Sequence, residues 1–314
     1  MNPNLVFSPS PYSQYMRETK VKLENGIELH VEVGGNPEHP CILLIMGLGG
    51  QLILWPDFFC KSLIDQGFYV IRFDNRDIGL SSKISDSPRH TKHLLNMMAR
   101  FSVGLKNQGA AYTLEDMADD VALLLDQLEI ANCHLIGASM GGMIAQIVAG
   151  KYPEKVNKLG LLFTSNNQPL LPAPGIKQLK MMLSKRPLQE DEIIRQNVLL
   201  YQAIGSPNYV NVEEVRLFAR KAYLRSYHPN GVLQQLLAIL CTGSLKHWNQ
   251  QIQQETLVIH GECDRLLPPK HGRVVAKAIK SAKFELIAGM GHDIPAHFIP
   301  QLSGLFAHHF RSSH

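Results

Sequence analysis

From about residue 20 to residue 165, short apolar runs alternate with longer segments whose apolar residues recur at three and four. The run at 41–46 is continuous, Cys-Ile-Leu-Leu-Ile-Met, and 69–73, 134–138 and 159–163 are nearly so, which is the signature of strands covered on both faces. Residues 20–23 and 27–33, separated by Glu24-Asn25-Gly26, read as an antiparallel hairpin that opens the sheet. Between strand runs, Thr113-Leu114-Glu115-Asp116 resembles a capping box and starts a helix with Met117, Val121, Leu124, Leu125 and Leu128 on one face. A second helix begins at Met140 and is stopped by Lys151-Tyr152-Pro153. This alternation predicts an α/β fold: a mostly parallel central sheet flanked by helices.

After Phe163 the pattern changes. Residues 165–175 are rich in Pro and Asn, and strand signals disappear until 256–261 and 282–287. The stretch between reads as helical at 176–183, 190–202, 212–225 and 231–240. The predicted organisation is therefore a core of residues 20–165 and 251–314, with a helical cap at 166–250 inserted between two of its strands. A cap of this kind covers a site, excludes water and builds most of a substrate pocket. Met181, Met182, Leu199, Leu200, Phe218 and Tyr223 are candidates to line it, although each serves equally as cap interior.

Composition narrows the picture little. A chain of 314 residues with 45% hydrophobic and 18% charged content is long enough for a large core. The net charge of +4 is slight and scattered, so no nucleic-acid partner is indicated. Cys41, Cys60, Cys133, Cys241 and Cys263 are odd in number and lack metal-ligand spacing, and they read as reduced thiols. The N-terminus lacks the basic start and apolar stretch of a signal peptide, and no run approaches the ~18 apolar residues of a membrane span. A cytoplasmic protein without membrane association is the expectation, and oligomeric state is not legible.

Chemistry is concentrated after the strands. Gly137-Ala138-Ser139-Met140-Gly141 is a Gly-x-Ser-x-Gly pentapeptide between a strand and a helix, the context of a nucleophile elbow. A serine there sits on a strained turn with its hydroxyl exposed at the sheet's carboxyl edge, over a helix N-terminus that favours negative charge. An acid and a histidine should follow in that order after later strands. Asp264 lies in the loop after 256–261, and His292 lies in the loop after 282–287. Glu262 and Asp293 compete for the acid's role, and the chain has 14 histidines, of which His260 falls within a strand and His308, His309 and His314 in a polar, solvated C-terminal end. The oxyanion of a tetrahedral intermediate needs two backbone N–H groups. Met140 supplies one by position, and Leu48, in the Gly47-Leu48-Gly49-Gly50 turn, is the candidate for the other. A dinucleotide loop at that turn would need glycine where Leu52 stands.

The ordered Ser139, Asp264 and His292, together with Met46-Gly47-Leu48-Gly49-Gly50 and the insertion, resemble the α/β-hydrolase superfamily. Trp55-Pro56-Asp57, Gly67 and the string from Val70 through Asp74-Asn75-Arg76 to Ser81 resemble the branch containing the aclacinomycin methylesterases, which also carry methionine before the oxyanion glycine. The resemblance does not extend into the cap, so an anthracycline substrate does not carry over. It implies no metal and no organic cofactor, and a small-molecule substrate. Relatives that dehalogenate or open epoxides use aspartate where Ser139 stands, so those reactions are not expected. Hydrolysis of a carboxylic ester through an acyl-enzyme is the leading expectation. C–C bond hydrolysis, perhydrolysis, aminopeptidase action and a non-catalytic binding role stay open as alternatives.

Overall fold

Successive side chains of the central strands point to opposite faces, and both faces are buried. In a computed structural model, which describes residues 2, 4–84, 94–182 and 187–312, Ile42, Leu44, Val70, Ile136 and Ala138 join one apolar cluster while Leu43, Ile45, Ile71 and Leu135 join another. The expectations placed on the Met182 side chain, Leu183 and His314 lie outside the described residues. The strands are β1 (Ser8–Pro9), β2 (Arg17–Lys22), β3 (Glu28–Gly34), β4 (Cys41–Ile45), β5 (Tyr69–Phe73), β6 (Cys133–Ala138), β7 (Val156–Leu162), β8 (Thr256–Gly261) and β9 (Ala282–Ile287). They form one sheet in the order β1-β2-β3-β5-β4-β6-β7-β8-β9. The pairs β1–β2, β2–β3 and β3–β5 are antiparallel, and every pair from β5 onward is parallel.

Helices α1 (Asp57–Asp65), α2 (Leu94–Ser102), α3 (Leu114–Gln127) and α4 (Met140–Lys151) precede β7. Between β7 and β8 stand α5 (Ile176–Met182), α6 (Glu190–Ile204), α7 (Val212–Arg225), α8 (Pro229–Thr242) and the short α9 (Lys246–Asn249); α10 (Lys270–Ala278) and α11 (Ile299–Arg311) follow. One face of the sheet is covered by Phe59 and Leu63 of α1 with Leu302, Phe306 and Phe310 of α11, the other by Leu124, Ile144 and Val275 of α3, α4 and α10. Thr113 caps α3 as predicted: its hydroxyl accepts from Asp116 N–H while the Asp116 carboxylate accepts from Thr113 N–H. None of the helices among the described residues is long and apolar enough to cross a membrane.

Several expectations need correction: β7 runs over Val156–Leu162 rather than 159–163, and α6 continues to Ile204. α8 starts at Pro229 rather than at residue 231, because proline fits the first helical position, where no N–H is required. The C-terminal end is not simply solvated: the Leu302, Phe306 and Phe310 stripe draws α11 onto the sheet, burying His309 with its Nε2 3.2 Å from the Glu255 carbonyl, while His308 stays exposed.

Two other histidines are enclosed by the core. Burial, with the Arg225 charge nearby, pushes His30 down to about 4; burial, with Lys158 and His309 nearby, does the same to His134. Both are neutral in the folded chain at neutral pH. As pH falls from 6.5 toward about 4, the unfolded chain takes up protons that the folded chain refuses, so stability is present above this window and is lost through it. The expected loss is on the order of a few kcal/mol in total. Urea denaturation at several pH values checks it, and a midpoint independent of pH across that window would contradict it.

Candidate active site

β4 lies between β5 and β6, so the chain leaving β4 and the chain leaving β6 diverge to opposite sides of the sheet. Such a switch point opens a crevice at the carboxyl ends of the strands. Ser139 stands there, half-buried, at φ 55° and ψ −120°, in the left-handed half of backbone space where a non-glycine residue is strained. The turn is held by Ser139 N–H donating to the Leu162 carbonyl at 2.9 Å and by Thr164 Oγ1 donating to the Ser139 carbonyl at 2.6 Å. Gly141 is required by close approach, since a Cβ there would fall 2.0 Å from the Ile45 carbonyl oxygen.

The structure brings the three predicted side chains into one row. Ser139 Oγ is 3.0 Å from His292 Nε2, and His292 Nδ1 is 2.7 Å from Asp264 Oδ2. A carboxylate only accepts, so the imidazole proton sits on Nδ1 and the Nε2 lone pair faces the hydroxyl. Asp264 is buried at the end of β8, where its Oδ1 accepts from the N–H groups of Leu266 and Leu267, both at 2.9 Å. Burial alone would raise the Asp264 pKa. The His292 charge and the hydrogen bonds from His260 and His292 outweigh it and hold the carboxyl well below the usual carboxylate range.

His260 is the residue that sequence reasoning missed. It lies in β8 as expected, fully buried, but its Nε2 faces the Leu267 carbonyl at 2.7 Å and Asp264 Oδ2 at 3.3 Å. Both are acceptors, so Nε2 carries the proton and gives Asp264 a further donor. The available signal was its position four residues before the acid, at the carboxyl end of the strand. The rival acids are placed elsewhere: exposed Glu262 accepts from Gly289 N–H at 3.2 Å, and Asp293 accepts from Ser206. All five cysteines are free; Cys60 and Cys133 are buried, and the others are partly exposed.

The turn after β4 runs beside the serine, close enough that a Cβ on Gly47 would meet Ser139 Cβ at 3.0 Å. In that turn Gly49 N–H donates to Gln235 Oε1 at 2.9 Å and Gly50 N–H to the Gly47 carbonyl at 3.1 Å. Leu48 lies between Gly47 and Gly49, and Met140 is the first residue of α4, where backbone N–H groups have no intrahelical acceptor. Helices between β7 and β8 reach both loops: α8 through Gln235, and α6 through the Ile204 carbonyl, which accepts from His292 N–H at 2.8 Å. Phe163 places its ring centroid 4.5 Å from that of His292.

Among the described residues, one group has the composition of a metal site: Glu18, His30 and Glu32 on β2 and β3. Its Glu32 carboxylate already accepts from Arg72 at 2.7 Å through Nε, pairs with Arg72 Nη2 at 2.6 Å, and accepts from Ser10 Oγ at 2.7 Å. A fixed guanidinium therefore occupies the charge that a cation would need.

Comparison with known proteins agrees with this architecture. Residues 40–296 match the family model described as alpha/beta hydrolase fold. The chain is 25% identical to the rhodomycin D methylesterase DnrP of Streptomyces peucetius, covering 94% of this chain and 99% of that protein. It is 32% identical to a poly(3-hydroxyalkanoate) depolymerase of Ectopseudomonas oleovorans, over 81% of this chain and 78% of the relative. The solved enol-lactonase of Burkholderia xenovorans LB400 superposes with a TM-score of 0.69 at 21% identity, covering 93% of this chain and all of that one, which concerns the fold alone. With a strand-turn-helix serine at the switch point and a family match spanning most of its length, the chain belongs to the α/β-hydrolase family.

Proposed function

We propose that the chain is a serine hydrolase that cleaves carboxylic esters of small molecules through an acyl-enzyme. The observation that carries this reading is the unbroken hydrogen-bonded row from Ser139 Oγ through His292 to Asp264. Ser139 Oγ attacks the ester carbonyl while its proton passes to His292 Nε2; Asp264 holds the ring's tautomer and stabilises the imidazolium. The N–H groups of Leu48 and Met140 receive the oxyanion. His292 then returns the proton to the leaving alkoxide, and water repeats the sequence to release the acid. An alkoxide leaves more readily than an amine and asks less of His292 as an acid, which favours esters over amides. Similarity to a methylesterase supports the same choice. In this reading residues 166–250 act as a cap that closes the crevice against water and shapes the pocket.

Release of p-nitrophenol from esters of increasing acyl length tests it. We expect turnover, with a preferred chain length that gauges the acyl pocket. Because Asp264 is held ionised far below neutrality, the acidic limb of the pH profile should follow one group, His292, with activity rising as the ring loses its proton. A folded protein that cleaves none of these esters, with Ser139 still reactive toward a fluorophosphonate, would move the assignment to another serine-dependent reaction. An inert Ser139 would remove the assignment.

A further inference from the structure

Asp293 is not the triad acid, yet it adjoins the base and its carboxylate is committed. Its Oδ1 accepts from Ser206 N–H at 3.0 Å and from Ser206 Oγ at 2.6 Å. The same Ser206 Oγ accepts from Gly291 N–H at 2.9 Å, and His292 N–H donates to the Ile204 carbonyl at 2.8 Å. Three consecutive residues around the base, Gly291, His292 and Asp293, are thus bonded to Ile204 at the end of α6 and to Ser206 just past it. The Ile204 carbonyl belongs to the last turn of that helix, where carbonyls lack intrahelical partners, so the His292 N–H meets an acceptor that the helix cannot use. The two backbones are in direct contact: a Cβ on Gly291 would fall 2.3 Å from the Gly205 carbonyl carbon. Ser206 is fully buried. Burial pushes Asp293 up, and the Ser206 bonds offset this only in part, so a carboxylate here costs stability that a neutral side chain would not.

We propose that Ser206 and Asp293 are positioning residues for His292, forming a strap by which the helical insertion aligns the base. The proposal rests on the reading of Ser139 and His292 as nucleophile and base. Its consequence is that docking of α6 and alignment of His292 are one event: with the insertion displaced, the loop carrying the base loses all four hydrogen bonds to Ile204 and Ser206. The ring itself faces Asp264 and Ser139; His260 also meets Asp264, and His271 and Asp293 are the other charged or titratable groups within electrostatic reach of the ring. Loss of the strap should therefore weaken the His292–Asp264 contact, destabilise the imidazolium and move the acidic limb of the pH profile to lower pH.

The test uses the full chain and reads the rate at which a fluorophosphonate labels Ser139, a readout that needs no knowledge of the substrate. Asp293→Ala and Ser206→Ala should slow labelling by about 10- to 100-fold, the scale of a displacement of about 1 Å at a reacting group. Asp293→Asn keeps an Oδ1 that accepts both Ser206 bonds and should recover the rate to within about threefold of wild type. On p-nitrophenyl esters the loss should fall on kcat rather than KM. A purely structural role would instead lower the melting temperature while leaving the labelling rate per folded molecule and the acidic limb unchanged, and that result overturns the proposal. If the alanine variants do not fold, Ser206→Cys keeps the side-chain size and weakens both side-chain bonds; an unchanged rate there overturns it equally. A wild type that is not labelled at all defeats the serine-hydrolase reading, whereas fast labelling of both wild type and Asp293→Ala defeats the strap alone.

Discussion

Ser139→Ala is expected to reduce ester hydrolysis by about 10⁵- to 10⁶-fold in kcat, to a residue owed to oxyanion stabilisation and binding. Asp264→Asn should cost about 10⁴-fold for a different reason. Every donor around Asp264 points at an acceptor: Leu266 and Leu267 N–H at Oδ1, His292 and His260 at Oδ2. An asparagine must turn its NH₂ toward one of these pairs. Facing the two backbone N–H groups it sets donor against donor in a buried site, so the favoured arrangement turns NH₂ toward the histidines. The His292 ring then moves its proton to Nε2, the nitrogen 3.0 Å from Ser139 Oγ, and can no longer accept from the hydroxyl. The check is kcat per folded molecule on a p-nitrophenyl ester. A fall of less than about tenfold in Asp264→Asn would take Asp264 out of the role assigned to it.

The parts of this site that were legible in the sequence are those fixed by local position. Ser139, Asp264 and His292 each follow a strand, and strands buried on both faces leave apolar runs that polar loops interrupt. For that reason β5, β6 and β8 lie where the pattern puts them; β9 does too, although it is an edge strand with only Ile287 buried, whereas β7 begins at Val156 because its exposed Asn157 and half-buried Lys158 break the run. Helices α1, α2, α9, α10 and α11 escaped notice. In α10 the buried positions are His271, Gly272 and Val275, of which only Val275 is a large apolar residue. Choosing Asp264 over Glu262 and Asp293 relied on motif order, and the physical reason, that only Asp264 is turned to the imidazole, is a tertiary fact. Contacts such as Ser206 with Asp293 and Arg225 with Asp74 join residues far apart in the chain, where no spacing rule applies.

Arg225 of α7 ties the helices between β7 and β8 to the sheet through a buried ion pair. Its Nη1 lies 2.8 Å from Asp74 Oδ2 and donates to Gln51 Oε1 at 2.8 Å, and both charged side chains are fully buried. Asp74 also accepts from Leu52 N–H at 2.7 Å and Leu80 N–H at 2.8 Å, so one carboxylate ties the turn after β4 and the turn after β5 to α7. The Tyr12 ring lies 4.8 Å from the guanidinium carbon, while Nε and Nη2 find no hydrogen-bond partner among the described residues. Most of the compensation for burying this charge therefore comes from Asp74. Arg225→Met removes the cation and leaves Asp74 buried with backbone donors alone, a change expected to cost about 3–5 kcal/mol of unfolding free energy. Asp74→Asn should be similarly costly because it strands the guanidinium. The double variant should lie closer to wild type than the sum of the two, since desolvation is relieved on both sides at once. Urea denaturation of the four proteins measures this coupling, and an Arg225→Met loss below about 1 kcal/mol, the level of an exposed ion pair, would show that the pair does not hold α7 to the sheet.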